Sequence, residues 1–454
     1  MKKYNLTDVW RIKHPHEKQF TWRRKNGIER SRIDFWLLEE NALPLVYTSD
    51  IRPVQIKATD HLAISLKLQF ADKRGPGFWK FNNSLLKGET YTNIINNLID
   101  TIIDKYKNET ITNQSLWELC KYEIRDRSIK FSKSLARQRR NKVKELELKL
   151  NELYKQNDEN QTETLSAHIK SIEAELNTEY ARTAAGAQIR SRVQLLDEGE
   201  TNLKYFVGLE KSRQTRKVLN SLRVGNSIKN DIQQILDEEV KFYKTLYSTD
   251  NIDSKNIRHY LANISIENKL NQNSSSQCDG LFTLEECKTA LSEMKHNKSP
   301  GSDGLTVEFY STFWSKIGNI VVNSLNEGYI KGELSGTQKH SILSLIFKKG
   351  DPEDLENWRP ISLLNIDYKI AAKVLAKRLQ NLLPQLISTD QQGYIKGRFI
   401  GFNIRQIQDI IDYADELDSE GAILFLDFRK AFGTVDWNFM FEVLTSFGFG
   451  DSFI

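Results

Sequence analysis

AILFLDF (422–428), read with the RKAFGTVDW that follows it (429–437), decides the fold class. A short, continuous apolar run rich in branched and aromatic residues predicts a buried strand, and Asp427 rides at its C-terminal end. An apolar strand with a carboxylate at its tip is a common way to build a metal site. The same residue type also serves as a surface or capping acid, so the strand alone leaves both readings open. Working back towards the N-terminus, Thr283-Leu284-Glu285-Glu286 is a capping box, followed by Cys287, Ala290, Leu291 and Met294 on one helical face. Ser299-Pro300-Gly301-Ser302-Asp303-Gly304 predicts a turn, and a second helix follows with Tyr310, Phe313, Trp314, Ile317 and Val321 on its buried side. Ser341–Phe347 predicts a strand that turns at Lys348-Lys349-Gly350-Asp351-Pro352. Tyr368, Ala371, Ala372, Leu375, Leu379 and Leu382 mark a further amphipathic helix.

Before this block, Glu267–Asp279 is rich in Asn, Ser and Gln and predicts a linker. Residues 85–250 contain no proline and predict an almost wholly helical stretch. Within it Val143, Leu146, Leu150 and Leu153 keep a 3–4 spacing, which Leu165, Ile169, Ile172 and Leu176 resume after a polar break at Gln156–Thr164. Each run is under two heptads, so an antiparallel helical hairpin is expected rather than an independent coiled coil. Ten Lys or Arg fall between Lys121 and Lys144, against Glu123 and Asp126, with Tyr122 and Phe131 interleaved. Such a stripe can neutralise several phosphates; taken alone, it reads more readily as a solvated helix face. Residues 1–72 are aromatic-rich, with strand-like runs at Arg32–Leu37 and Leu62–Leu68 and a closing turn at Arg74-Gly75-Pro76-Gly77.

The 454 residues are enough for several domains, and a net charge of +5 means that any affinity for nucleic acid must come from local patches. No run approaches the roughly 18 apolar residues of a membrane span. The opening MKKYNLTDVW has no apolar segment of the secretory kind, and three scattered cysteines argue against a disulfide framework or a zinc site. An intracellular, reducing setting is expected, nuclear or cytoplasmic.

Four blocks now become recognisable: SPGSDGLTVEFY (299–310), LIFKKGDPEDLENWRPISLLNIDYKIAAKVLAKRL (345–379), DQQGYIKGRFIGFNIR (390–405) and FLDFRKAFGTVDW (425–437). Together they resemble the reverse transcriptase of LINE-type non-LTR retrotransposons. RSRVQLLDEGETNLKYFVGLEK (190–211) and RGPGFWKFNNSLL (74–86) are similar to its connector. DVWRIKHP (8–15), FTW (20–22), SRIDF (31–35) and TDH (59–61) resemble the last third of its apurinic-type endonuclease.

The resemblance implies roles. Asp427 matches the first carboxylate of a two-metal polymerase site using Mg²⁺ or Mn²⁺, and the Phe428 backbone would add a carbonyl. Phe432 matches the bulky gate that rejects a ribose 2′ hydroxyl. Lys348 and Arg359 match basic residues that grip the incoming deoxynucleoside triphosphate, a task suited to a guanidinium fork. Gln391, Gly393, Gly397 and Arg398 resemble a template-facing loop. In the endonuclease part, Asp34 would orient His61 at the attacked phosphate, Asp60 would lie beside the metal and leaving group, and Thr21 and Ser31 would support the phosphate pocket. RNA template and DNA target are the implied partners.

Departures from the family pattern carry weight too. The usual Ala-Phe-Asp reads Ala431-Phe432-Gly433 here, and the Tyr-x-Asp-Asp block with the other polymerase carboxylates is not reached by Ile454. The endonuclease Glu and Asp-x-Asn pair are likewise missing, so the chain reads as truncated at both ends. The expected architecture is α/β plus α. Residues 1–72 are the C-terminal part of an endonuclease/exonuclease/phosphatase-type α/β sandwich, 73–280 a helical basic connector, and 281–454 the fingers and start of the palm of a right-hand polymerase. Two functions compete: an RNA-directed DNA polymerase with attached endonuclease, and a non-catalytic nucleic-acid-binding fragment of such an element.

Overall fold

The computed structural model describes residues 6–24, 29–52, 60–69, 77–159, 162–191, 219–248, 252–428 and 430–454. Two compact units emerge, Met1–Gly77 with Lys130–Val218, and Phe78–Ile129 with Leu219–Ile454. They cut across the three expected segments, because residues 78–129 fold with the C-terminal part.

In the first unit, β1 (Leu6–Asp8) leads into α1 (Val9–Lys13), which Asp8 caps by accepting from the Arg11 N–H at 3.3 Å. Val9 and Trp10 are buried. β2 (Trp22–Arg23) pairs with β3 (Arg30–Ser31), and β1 with β4 (Leu37–Glu39). β5 (Val46–Arg52) pairs with β6 (Ala63–Leu68) in a register that sets Ile51 opposite Ile64. The strand-like run at 62–68 is thus β6, whereas Arg32–Trp36 joins no ladder and pairing starts at Leu37. Every ladder among the described residues is two-stranded. The expected sandwich is therefore not assembled there, since a two-stranded ladder offers too little face to cover a second layer. The mixed α/β character holds.

The long helices are α2 (Glu89–Tyr106), α3 (Asn113–Glu159) and α4 (Glu163–Ser191). The later part of α3 and α4 form the expected antiparallel hairpin around Leu146, Leu150, Ile169, Leu176 and Tyr180, with Val143, Leu153, Tyr154 and Ile172 against them. Polar pairs flank this seam: Lys142 Nζ to Glu179 at 3.2 Å, Tyr180 donating to Glu147 at 2.8 Å, and Tyr154 donating to Glu173 at 2.5 Å. Burial and then the Glu147 carboxylate push the Tyr180 hydroxyl pKa up.

In the second unit the expected run of helices is interrupted by a hairpin, β7 (Leu222–Val224) and β8 (Ser227–Lys229), that turns through Gly225-Asn226. Gly225 adopts φ +59°, which the missing Cβ permits. α5 (Ile232–Leu246) and α6 (Ser254–Ala262) follow. The segment expected as a linker is ordered instead: Cys278 is fully buried with Leu382, Leu386 and Phe449, and Leu270 packs on the same cluster. Its apolar residues are few, but these two fill a core.

The capping box is formed as expected and starts α7 (Leu284–Ser292). α8 (Val307–Lys331) buries Phe309, Tyr310, Phe313, Ile317 and Val321. Around α8 lie Tyr91, Ile95 and Ile99 of α2 and Trp117 and Ile124 of α3, all fully buried. Phe81 meets Phe309 edge-on at 5.1 Å, and Trp117 meets Tyr310 at 5.8 Å. β9 (Ser341–Phe347) and β10 (Trp358–Leu364) form an antiparallel hairpin, from which α9 (Ile366–Leu386) departs. α10 (Gly401–Glu416) buries no residue, and α11 (Trp437–Ser446) lies against α6 through Arg258 and Glu442 at 2.8 Å.

The buried strand expected at 422–428 is not formed. The segment pairs with no strand among the described residues and is exposed throughout, with Leu424, Phe425 and Phe428 each 79% exposed. A strand is a pairing event: without ladder partners its backbone groups face water, and its apolar side chains gain no second layer.

Candidate functional site

Lys348 and Arg359 belong to the β9–β10 hairpin. The register places Arg359 opposite Ile346 and Ile361 opposite Ser344, so these four share a face. On the other face Leu345 packs against Leu222, Ile235 and Leu355. That leaves the Arg359 face open, with Ile346 54% exposed, and the Lys348 N–H is held by the Asn357 carbonyl at 2.9 Å. Both cationic side chains are exposed.

The loop after α9 carries the other expected contacts. Arg398 donates to the carbonyls of Ile387 at 2.9 Å, Gln391 at 2.7 Å and Ser388. Its fork is therefore spent on the C-terminal carbonyls of α9 and the loop itself, where a cation is favoured. Gln391 donates to the Gly393 carbonyl at 3.2 Å, and Gly397 (φ +84°) has open space around it. Tyr394 (φ +63°) is 89% exposed, and its ring meets Phe432 edge-on at 5.9 Å. The structure thus joins the loop to the segment after Asp427. Within that segment, Lys430 pairs with Glu356 at 3.0 Å and lies 4.5 Å from the Phe242 ring of α5.

Asp427 itself is exposed, on an unpaired segment. Among the described residues no group of three or more His, Cys, Asp or Glu is placed to hold a metal ion. One solvated carboxylate does not fit a two-metal site, which needs several oxygens at fixed separation. No step through a metal follows from these residues.

In the first unit, residues far apart in sequence do meet. The Asp34 carboxylate lies 2.9 Å from His61 Nδ1. Thr21 is fully buried, and its hydroxyl accepts from the N–H groups of Ile33 (3.0 Å) and Asp34 (3.1 Å). Leu62 donates to the Thr21 carbonyl at 2.6 Å, and Thr21 donates to the Ser31 carbonyl at 3.0 Å. Thr21 and Ser31 therefore fix the backbone that carries Asp34 and His61. Asp60 accepts from the Trp22 indole at 2.8 Å. A carboxylate against one ring nitrogen sets an imidazole's orientation and tautomer.

The basic stripe lies on α3, with one correction. Lys121 is buried at 4% exposure and bonds to Asp367 (3.0 Å), Glu118 (3.1 Å) and Thr337. Arg125, Arg127, Lys130, Lys133, Arg137, Arg139, Arg140, Lys142 and Lys144 are exposed. From Ala136 to Lys142 every residue is exposed, so the helix there has no buried face. The further basic positions expected to join it, Arg192, Lys204, Lys211, Arg213, Arg216 and Lys217, lie outside the described residues, as does the Arg190 side chain.

The network around Lys121 escaped the sequence reading. Asp367, fully buried, accepts from Trp117 Nε1 at 2.8 Å, from Lys121 and from its neighbour's Tyr368 N–H at 2.8 Å. Glu118 accepts from Ser335 (2.5 Å) and Thr337 (2.8 Å). Burial pushes the Glu118 carboxyl pKa upwards, but Lys121 and the two hydroxyls outweigh it and hold the carboxyl below its usual range. Asn365 accepts from the Asp303 N–H at 3.1 Å and donates to the Thr337 carbonyl at 2.8 Å. The signal was present: Lys121 falls three and four residues from Ile124 and Trp117, on their buried face.

Parts of this chain are similar to known proteins. Residues 346–454 match the family described as reverse transcriptase (RNA-dependent DNA polymerase). The chain is 31% identical over 457 residues to the transposon TX1 uncharacterized 149 kDa protein of Xenopus laevis, covering 99% of this chain and 34% of that relative. It is 29% identical over 164 residues to the retrovirus-related Pol polyprotein from type-1 retrotransposable element R2 of Popillia japonica, covering 36% of this chain and 22% of that protein. The chain thus spans about a third or less of the length of these relatives.

Proposed function

We propose, for this non-LTR retrotransposon-type protein with its reverse transcriptase domain over residues 346–454, that the chain serves RNA-directed DNA synthesis by holding nucleic acid along α3. RNA template and DNA target are the partners. On this reading the incoming deoxynucleoside triphosphate meets Lys348 and Arg359 on the open face of β9–β10. Phe432 gates the sugar of that nucleotide, and Asp427, with the Phe428 backbone carbonyl, supplies oxygen towards the Mg²⁺ or Mn²⁺ of a complete site. Gln391, Gly393 and Gly397 face the template, with Arg398 shaping their loop. Asp34, His61 and Asp60 form an endonuclease-type acid–base group in the first segment.

One observation supports the binding role above the others: α3 persists from Ala136 to Lys142 with no buried face, and Arg137, Arg139, Arg140 and Lys142 surround it. A helix polar on all sides and crowded with like charge is costly unless a polyanion neutralises it. A binding titration with a labelled single-stranded RNA tests this. With roughly 6–10 phosphates contacted, affinity falls about 10³–10⁵-fold between about 50 and 200 mM salt. Salt-insensitive binding, or none at low salt, refutes it.

The exposure of Asp427 favours a second reading, in which these residues bind nucleic acid without catalysis. Primer extension on an RNA template by this chain, with Mg²⁺ or Mn²⁺ and four deoxynucleotides, excludes that reading; no extension supports it.

A further inference from the structure

The second unit gathers three carboxylates around the Lys121 ammonium: Asp303 and Asp367 are buried, and Glu118 is partly buried, its side chain 26% exposed. Asp367 and Glu118 are each satisfied by several donors. Asp303 is not: it is 7% exposed, its Oδ1 accepts only the Leu305 N–H at 3.0 Å, and its Oδ2 is buried with no partner. The Tyr310 hydroxyl is buried and unpartnered in the same region. The Lys121 ammonium is bonded by Asp367 and Glu118, and a buried ionised oxygen with no donor is the costliest state in such a place. The proton that balances the cluster therefore belongs on Asp303 Oδ2.

We propose that Asp303 is retained as a neutral carboxylic acid under mildly acidic conditions, and that its proton makes the junction of α3, α8, α9 and the Gly301–Gly304 turn a pH-sensitive lock at the base of the β9–β10 hairpin. The groups acting on Asp303 are Lys121 and Glu118 from α3, Tyr310 from α8, and Asp367 and Lys369 from α9. Burial first, then Asp367, raise the Asp303 pKa to about 7 against the opposing pull of Lys121. The hairpin feels this lock directly. Leu364 ends β10, Asn365 bonds the Asp303 N–H, and Asp367 follows within the first turn of α9.

The sign follows from proton binding. An acid whose folded pKa is raised binds more protons folded than unfolded, so its stabilising contribution is whole below the unfolded value near 3.8 and is lost as pH rises towards 7. Urea unfolding of the full chain from pH 5 to 8, for wild type and Asp303→Asn, measures this. The wild type should lose stability across the window, and the variant, which cannot ionise, should show a shallower fall. Equal pH slopes overturn the proposal. Should Asp303→Asn fail to fold, two measurements on the unaltered chain decide. Difference infrared spectroscopy should show a protonated carboxyl band that disappears between pH 6 and 8. Hydrogen exchange, corrected for its intrinsic rate, should accelerate over residues 299–305 and 358–368 on the same rise. Absence of both overturns it.

Discussion

Gly301→Ala tests how the hairpin base is held. A Cβ at Gly301 would stand 2.1 Å from Asn365 Oδ1, 2.5 Å from Asn365 N and 2.5 Å from the Leu364 carbonyl carbon. Two of these three atoms are backbone, at the junction where β10 ends and α9 begins, and the third is the oxygen that accepts from the Asp303 N–H. Real Cβ contacts do not come so close, so the turn or the junction must move. Neither has room: Pro300, Gly301, Asp303, Gly304 and Leu305 are buried, and Asn365 is tied on its other side to the Thr337 carbonyl. Overpacking a tight site costs about 1–3 kcal/mol when side chains can yield, and a backbone clash belongs at or above about 3 kcal/mol. Gly421→Ala is the control, because nothing lies within 4 Å of its Cβ. Urea unfolding followed by tryptophan fluorescence should show the large loss for Gly301→Ala and a change within about 0.5 kcal/mol for Gly421→Ala. A Gly301→Ala loss below about 1 kcal/mol would mean that the turn is not clamped as described.

Further outcomes follow from other contacts. Leu150→Ala, at a fully buried position of the α3–α4 seam, should cost about 2–5 kcal/mol and expose residues 143–180 to limited proteolysis, whereas Leu148→Ala on the exposed side should not. Arg378 holds the Glu286 carboxyl down at about 2, so that pair stabilises the fold above pH 4.5 and is lost as pH falls towards 2; Arg378→Met should flatten acid unfolding across this window, measured by circular dichroism. Replacing Arg137, Arg139 and Arg140 by Gln should lower the salt slope of RNA binding by about 2, from three contacts at roughly 0.7 each on a single strand. Asp427→Asn should leave RNA affinity unchanged in the same assay, since its carboxylate lies on a separate exposed segment.

What could be read from the residues depended on whether the interaction was local. The Thr283–Glu286 box, the apolar face of α8 and the Leu146–Leu176 hairpin seam were legible because capping and 3.6-residue periodicity act within a few turns. The β7–β8 hairpin was missed although Gly225-Asn226 between short apolar runs is a turn signal; the surrounding Glu and Lys content hid it. AILFLDF reads as a buried strand yet pairs with none among the described residues, because pairing is decided by distant segments that no local pattern contains. Charge counting placed Lys121 in the stripe, and only its spacing to Trp117 and Ile124 betrays a buried partner. In the candidate sites, Asp34 lies against His61, and Arg398 binds three carbonyls beside its loop, contacts that the expected template role did not include. Such backbone contacts leave no trace in residue order.

The most direct measurement of the binding claim is ultraviolet crosslinking of the full chain to a short single-stranded RNA at low salt, with the modified peptides mapped by mass spectrometry. Adducts should concentrate in residues 125–144 of α3 and be lost as salt is raised. Adducts confined to other segments, or a pattern indifferent to salt, would contradict it.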